Sequence, residues 1–227
     1  MSSIVGDVAA PASKHVRRAS KSTSWRHLAY RMARRAVRLQ LLQVWNCPLD
    51  SIIEPRWDRG YQFRQLEVEE LGKLGADPTN CLEYHTTLRL AAASHRCFAA
   101  LDGSKLACYV WLAEHSVGHE DTMGFRFAIP ADTCYLFNAF TVPAYREQGI
   151  YTRTAKRALL EMSQFGKSQG LALVEYGNLA SMRSHRRIGL KPQGWIGSLG
   201  DGTFAYRWYS SPVQKLGLGD YRSHKIP

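Results

Sequence analysis

Leu136-Phe137-Asn138-Ala139-Phe140-Thr141-Val142-Pro143-Ala144-Tyr145-Arg146-Glu147-Gln148-Gly149-Ile150-Tyr151 is the stretch on which the fold turns. An apolar run over Tyr135–Val142 reads as a strand, and Pro143, which cannot donate to a ladder, stops it. A basic residue and a glycine follow. A helix then runs from Tyr151 to Phe165, with Ala155, Ala158, Leu159 and Met162 on one face and Gly166 closing it. The first turn of a helix carries unpaired N–H donors and the positive end of the peptide dipole. Gly149 lets the backbone approach a ligand closely, so this strand-turn-helix reads as a cradle for a phosphate or similar anion.

The pattern continues on both sides. Leu171 to Tyr176 is a continuous apolar strand; Asn178 then caps a short helix to Ile188, and Gly189 is the small residue favoured just past a helix end. Trp195–Ser198 and Thr203–Tyr209 read as a closing hairpin around Gly200-Asp201-Gly202. Upstream, Tyr61–Leu66 alternates apolar and polar as a half-buried strand does. Glu67–Leu74 and His85–Ser94 read as helices. Arg96–Leu101 and Lys105–Ala113 flank Asp102-Gly103, a hairpin turn signal. A further apolar stretch, Met123 to Ile129, ends at Pro130.

Two segments in this order resemble the signatures of the GNAT acyltransferase superfamily. Arg146 and Gly149, after a strand ending in Val142-Pro143, match its Arg/Gln-x-x-Gly-x-Gly/Ala motif. Asn178-Leu-Ala-Ser181-Met-Arg-Ser-His185-Arg-Arg-Ile-Gly189-Leu190 is similar to its Asn-x-x-Ala-x-x-x-Tyr-x-x-x-Gly-Phe segment. The resemblance covers roughly Tyr61 to Tyr209. It implies an α/β (α+β) fold with a mixed, splayed sheet flanked by helices, in which the strands at 135–142 and 171–176 part at one end. Acetyl-CoA or another acyl-CoA would be the co-substrate. Its pantetheine would run along Phe140, Thr141 and Val142, its pyrophosphate would meet the N–H groups of Gln148, Gly149, Ile150 and Tyr151 near Arg146, and Asn178 would hold the pantetheine arm. An amine would attack the thioester directly. Two residues depart from the family: Tyr151 replaces a Gly or Ala, and His185 stands where many members carry the tyrosine that protonates the leaving thiolate, a task an imidazole can also perform. Glu175, at a strand end beside the implied cleft, is the candidate general base, with Glu114 as a second. Arg183, Arg186 and Arg187 are candidates for the 3′-phosphate. The acceptor is not written in the sequence; a small amine or amino sugar and a macromolecular amine, on a protein or a charged tRNA, both remain open, as does a non-catalytic acyl-CoA or nucleic-acid binding module.

Composition bounds the rest. Of 227 residues, 45% are hydrophobic and 11% aromatic, as in globular chains, and nothing approaches the roughly 18 apolar residues of a membrane-spanning helix. The net charge of +11 is concentrated: residues 1–40 hold nine Lys/Arg against one acid, Asp7. The chain divides into a disordered basic tail over 1–23, an amphipathic helix and linker over 24–60, the acyltransferase domain over 61–210, and a tail over 211–227. Within 24–45, Trp25, Leu28, Ala29, Met32, Ala36 and Leu39 recur at helical spacing among arginines. Such a helix would pack on the domain or on a second copy of the chain, lie on an anionic membrane surface, or, through the basic residues 14–38, bind nucleic acid; a mitochondrial presequence also fits the composition. The five cysteines (Cys47, Cys81, Cys97, Cys108, Cys134) are odd in number and scattered, which favours reduced core thiols over disulfides or zinc. With no paired His or acidic cluster, no metal is expected, and the absence of a secretory signal points to a cytoplasmic protein, peripheral to a membrane if the helix docks there.

Overall fold

A computed structural model describes residues 25–57, 60–118, 127–200 and 206–218. The expected tail over 1–23, the turn at Asp201–Gly202 and most of the apolar stretch at 123–126 lie outside them.

Among the described residues the central feature is an eight-stranded mixed sheet. In chain order its strands are β1 (Gln40–Pro48), β2 (Tyr61–Leu66), β3 (Arg96–Asp102), β4 (Lys105–Ala113), β7 (Thr133–Thr141), β8 (Gln169–Glu175), β9 (Lys191–Leu199) and β10 (Tyr206–Tyr209). Two short strands, β5 (Ser116–Val117) and β6 (Phe127–Ala128), pair separately. The spatial order is β10-β9-β1-β8-β7-β4-β3-β2, and of these pairings only β7–β8 is parallel. The β3–β4 hairpin turns at Gly103, whose φ of +58° suits glycine. Helices α2 (Val68–Gly75), α3 (Tyr84–Ala92) and α6 (Ser211–Lys215) cover one face, through Leu71, Leu90 and Val213. Helices α4 (Ile150–Gln164) and α5 (Leu179–Ile188) cover the other, through Ala155, Ala158, Leu159, Met162 and Ile188.

The N-terminal region departs from expectation. Helix α1 spans only Trp25–Ala36; the chain turns at Arg38 (φ +50°) and enters the sheet as β1, between β8 and β9. Residues 40–48 are therefore a central strand of the domain rather than the end of a helix and a linker outside it. The reason is burial on both faces. Leu42 and Val44 join the core beneath α2 and α3, whereas Trp45 and Cys47 join the core beneath α4 and α5. A strand buried on both sides has no alternation, and its apolar steps continue the helical count without a break.

The parallel pair explains the shape of the site. β7 and β8 are paired only from Thr133 opposite Gln169 to Leu136 opposite Ala172, yet β7 continues to Thr141 and β8 to Glu175. β7 follows β4 instead, with a register shift between Tyr109 and Trp111 and Asn138 at φ +39°. Such a bulge bends its strand and strengthens its twist. β8 stays paired with β1 out to Glu175 opposite Leu42. Each wall of the resulting V is thus held by its outer neighbour. No helix of the described residues is long and apolar enough to cross a membrane. Cys47, Cys97, Cys108 and Cys134 are buried free thiols, and Cys81 is exposed.

Candidate active site

Between the separated ends of β7 and β8 lies a cleft of about 980 Å³. Phe137 to Thr141 line one wall and Leu173 the other; the turn into α4 closes one end, and α5 contributes Ser181, Arg183, Ser184, His185 and Arg187. From Phe137 onward β7 has a strand partner on one side only, so its other edge offers backbone donors and acceptors to the cleft.

The turn is built as the sequence implies. Pro143–Tyr145 form one 3₁₀ turn, Glu147 sits at φ +63°, and Gly149 caps α4 at φ +71°, ψ +10°. No side chain caps this helix, and the N–H groups of Ile150, Tyr151 and Thr152 have no acceptor within it. The Arg146 Nε donates to the Thr141 carbonyl at 3.1 Å, holding its guanidinium at the cleft edge near the Phe140 ring. Arg153 Nη2 donates to the Gln148 carbonyl at 2.7 Å and braces the turn from the helix side. Gln148 Nε2 reaches back to Ala144 O at 3.1 Å while its Oε1 accepts from the Tyr61 hydroxyl at 3.3 Å. The donors left over are backbone N–H groups at a helix start beside arginines, which fits a diphosphate. Val142 differs from Phe140 and Thr141 in not lining the cleft, and its N–H is spent on Ala107 O.

Tyr151 does not occupy this nest. Its ring turns inward from the cleft wall, packing on the core beneath α4 and α5 and on the small cluster of Ala100, Ala107, Cys108 and Ile150, and lies 6.1 Å from the His185 ring. Burial, followed by the nearby Cys108 thiol, pushes its phenol above the ordinary value, so it stays protonated. Cys108 itself is pushed up to about 11 by burial and is inert as a nucleophile.

His185 lies in the cleft wall yet is only 5% exposed. Its Nδ1 is 2.8 Å from the Ser181 carbonyl and 3.2 Å from the Ser181 hydroxyl, one helical turn back. A carbonyl can only accept, so Nδ1 carries the proton and Nε2 the lone pair. Burial depresses the imidazole below its ordinary value of 6.5, against the opposing pull of the Ser181 carbonyl. At neutral pH it is therefore uncharged, with an acceptor nitrogen left over. Proton donation from Nε2 requires that a proton first arrive there. Asn178 caps α5 through its Oδ1 on the Ser181 N–H at 3.1 Å, which leaves its exposed amide N–H groups at the cleft.

The carboxylates are placed differently. Glu175 is not in the cleft lining; its Oε1 is paired with Arg34 of α1 and accepts from the Tyr30 hydroxyl at 3.4 Å. Glu114 lies at the closed end of the sheet, paired with Arg96 at 2.6 Å, its strand neighbour Ala113 opposite Tyr135. Of the three candidate phosphate arginines, Arg183 and Arg187 line the cleft, while Arg186 lies over the Trp45 ring. Sequence reasoning missed Ser181, although its spacing four residues before His185 on a helix is a readable sign of contact. Among the described residues no cluster of side chains suits a metal.

No family model matches the sequence, and no curated protein matches it by sequence. Solved structures do. A GCN5-related N-acetyltransferase from Kribbella flavida is similar with a TM-score of 0.50 at 13% identity, over 77% of this chain and 64% of its own. A second, from Sphaerobacter thermophilus, gives 0.51 at 14%, over 84% of this chain and 57% of its own. An acetyltransferase from the GNAT family of Colwellia psychrerythraea gives 0.51 at 12%, over 71% and 55%. The chain thus spans less than two thirds of the length of each. The likeness is one of architecture: a mixed sheet with helices on both faces. The chain thus has the fold of these GNAT acetyltransferases.

Proposed function

We propose that the chain is an N-acyltransferase that moves an acyl group, acetyl in the simplest case, from acyl-CoA to a primary amine within a ternary complex. The observation that carries this is the separation of β7 from β8 beside the unpaired N–H groups of α4. A thioester arm can lie along the free edge of β7, with its pyrophosphate on the helix start and its 3′-phosphate near Arg183 and Arg187. The amine nitrogen attacks the thioester carbonyl; the C–N bond forms and the C–S bond breaks. Neutral His185 takes the proton lost by the amine on Nε2 and returns it to the departing sulfur. One imidazole thus serves as base and then as acid, which suits its resting tautomer. Small amines and amino sugars form the first acceptor panel.

Acetyl-CoA at 100 times its dissociation constant should add about 2.7 kcal/mol of stability. A thermal-shift series without any such gain, for acetyl-CoA and for longer acyl-CoAs, would remove the proposal. Release of free thiol dependent on added amine then separates an enzyme from a binding module. Gly149→Val should weaken acetyl-CoA binding by about tenfold or more. An added Cβ would meet only Arg153 Nη2, at 3.8 Å, so the cost is conformational: a β-branched residue resists φ +71°, at about 1–2 kcal/mol or more, and turning the peptide re-aims the donors. Unchanged affinity would show that the nest does not hold the phosphates.

Glu175 can act as base only if Arg34 and Tyr30 release it. Glu175→Gln is therefore expected to change the rate of acyl transfer by less than about threefold, since a partly exposed ion pair contributes about 0–1 kcal/mol. A loss of about a hundredfold or more would instead make Glu175 the base and α1 a moving part.

A further inference from the structure

Among the described side chains of helix α1, Tyr30 and Arg34 hold it to the domain. Tyr30, 7% exposed, accepts from the Leu41 N–H at 3.3 Å and sets its ring 5.0 Å from that of Tyr176. Arg34, one turn on, pairs with Glu175. On the opposite side, at steps of four, three and four, stand Trp25, Ala29, Met32 and Ala36, all exposed, with Trp25 at 73% and Met32 at 65%. This spacing gathers them into a single narrow apolar stripe. Exposed Arg31 and Arg35 flank it along the helix, and Arg38 follows at its end. The chain carries no acidic residue from Val8 to Leu49.

We infer that this outer face of α1 docks on an anionic lipid surface, the stripe entering the headgroup boundary and the arginines meeting lipid phosphates. Three occupants compete for such a face, and the residues distinguish them. Nucleic acid would use the arginines but has no use for an exposed Trp25–Met32 stripe. A second copy packed helix to helix about a twofold axis would oppose Arg31 and Arg35 to arginines of the same helix, which carries no acid of its own to neutralise them. An anionic bilayer takes up both features together: apolar surface leaves water, and each arginine gains from the negative surface potential. The arrangement is independent of acyl transfer, since neither Trp25 nor Met32 lines the cleft.

The test is sedimentation of the full-length chain with vesicles of phosphatidylcholine alone and of phosphatidylcholine mixed with phosphatidylglycerol. Binding is expected to the mixed vesicles only, and to fall as salt is raised. Trp25→Ser with Met32→Ser, and separately Arg31→Glu with Arg35→Glu, should each weaken binding by about tenfold or more. Both pairs are exposed, so the thermal midpoint of each variant should match the parent, and each checks the other should one fold poorly. Three results would overturn the inference: equal binding to neutral vesicles, no effect of either pair, or tighter binding to a homopolymeric RNA than to the anionic vesicles at the same ionic strength. A dimer in sedimentation equilibrium that disappears in Trp25→Ser/Met32→Ser would reassign the face to a second copy.

Discussion

His185→Gln is expected to slow acyl transfer by about 10²- to 10⁴-fold while leaving acetyl-CoA affinity within about threefold. Glutamine can keep a hydrogen bond to the Ser181 carbonyl through its amide, so α5 and the Asn178 cap stay in place. What it cannot do is hold a proton between the making of the C–N bond and the breaking of the C–S bond. The pH profile supplies a second check. Burial lowers the imidazole below 6.5, so the acceptor form persists at mildly acidic pH and the parent rate should decline only below that value. Stability follows the same sign. The folded protein prefers the neutral ring, so the contribution of His185 is complete above the unfolded value near 6.5 and is lost as pH falls through the lower folded value. In His185→Gln this acid-side loss should flatten. A variant retaining full rate would move the proton chemistry to water or to another group.

Trp45→Ala should cost about 3–5 kcal/mol of unfolding free energy, read as a lower urea midpoint at unchanged slope. Trp45 is fully buried in β1, with Ala172 opposite on one neighbour strand and Pro192 opposite on the other. Its ring also lies 6.1 Å from that of His185, and the Arg186 guanidinium rests over it. The cavity left by alanine would therefore loosen the cleft wall as well as the core. The indole N–H finds no acceptor among the described residues. Trp45→Phe removes that buried donor along with the extra ring, so it should cost roughly half as much or less. Removing residues 25–48 altogether takes out the strand to which both β8 and β9 are paired, and should leave no cooperative unfolding transition. A soluble, two-state domain lacking β1 would restore the boundary at residue 61.

What was legible in the sequence was local. The turn from Pro143 to Tyr151 and the capped helix from Asn178 to Gly189 are each specified within one short segment by proline, glycine and capping chemistry, and both were placed to within one or two residues. The hairpin at Asp102-Gly103 belongs to the same class. β1 escaped because periodicity cannot separate a doubly buried strand from a helix segment when leucines and arginines simply run on from a real helix. The engagement of Glu175 escaped for a different reason. Its partners Tyr30 and Arg34 are more than a hundred residues distant in the chain, and only the insertion of β1 beside β8 brings them together. The tautomer of His185 lies between these cases: the spacing to Ser181 is readable, whereas the depth of burial that keeps the ring neutral is a property of the assembled core.

The seat of β1 also bears on how the chain is made. A ribosome delivers this strand before any of the other strands described, yet both of its partners, β8 and β9, are among the last to emerge. Leu42, Val44 and Trp45 must therefore wait, unpaired and apolar, through most of translation, and the sheet closes only on contacts of very long sequence separation. Such a nascent strand is a natural client for holding chaperones, and slowing elongation would lengthen its exposure to aggregation rather than help it fold.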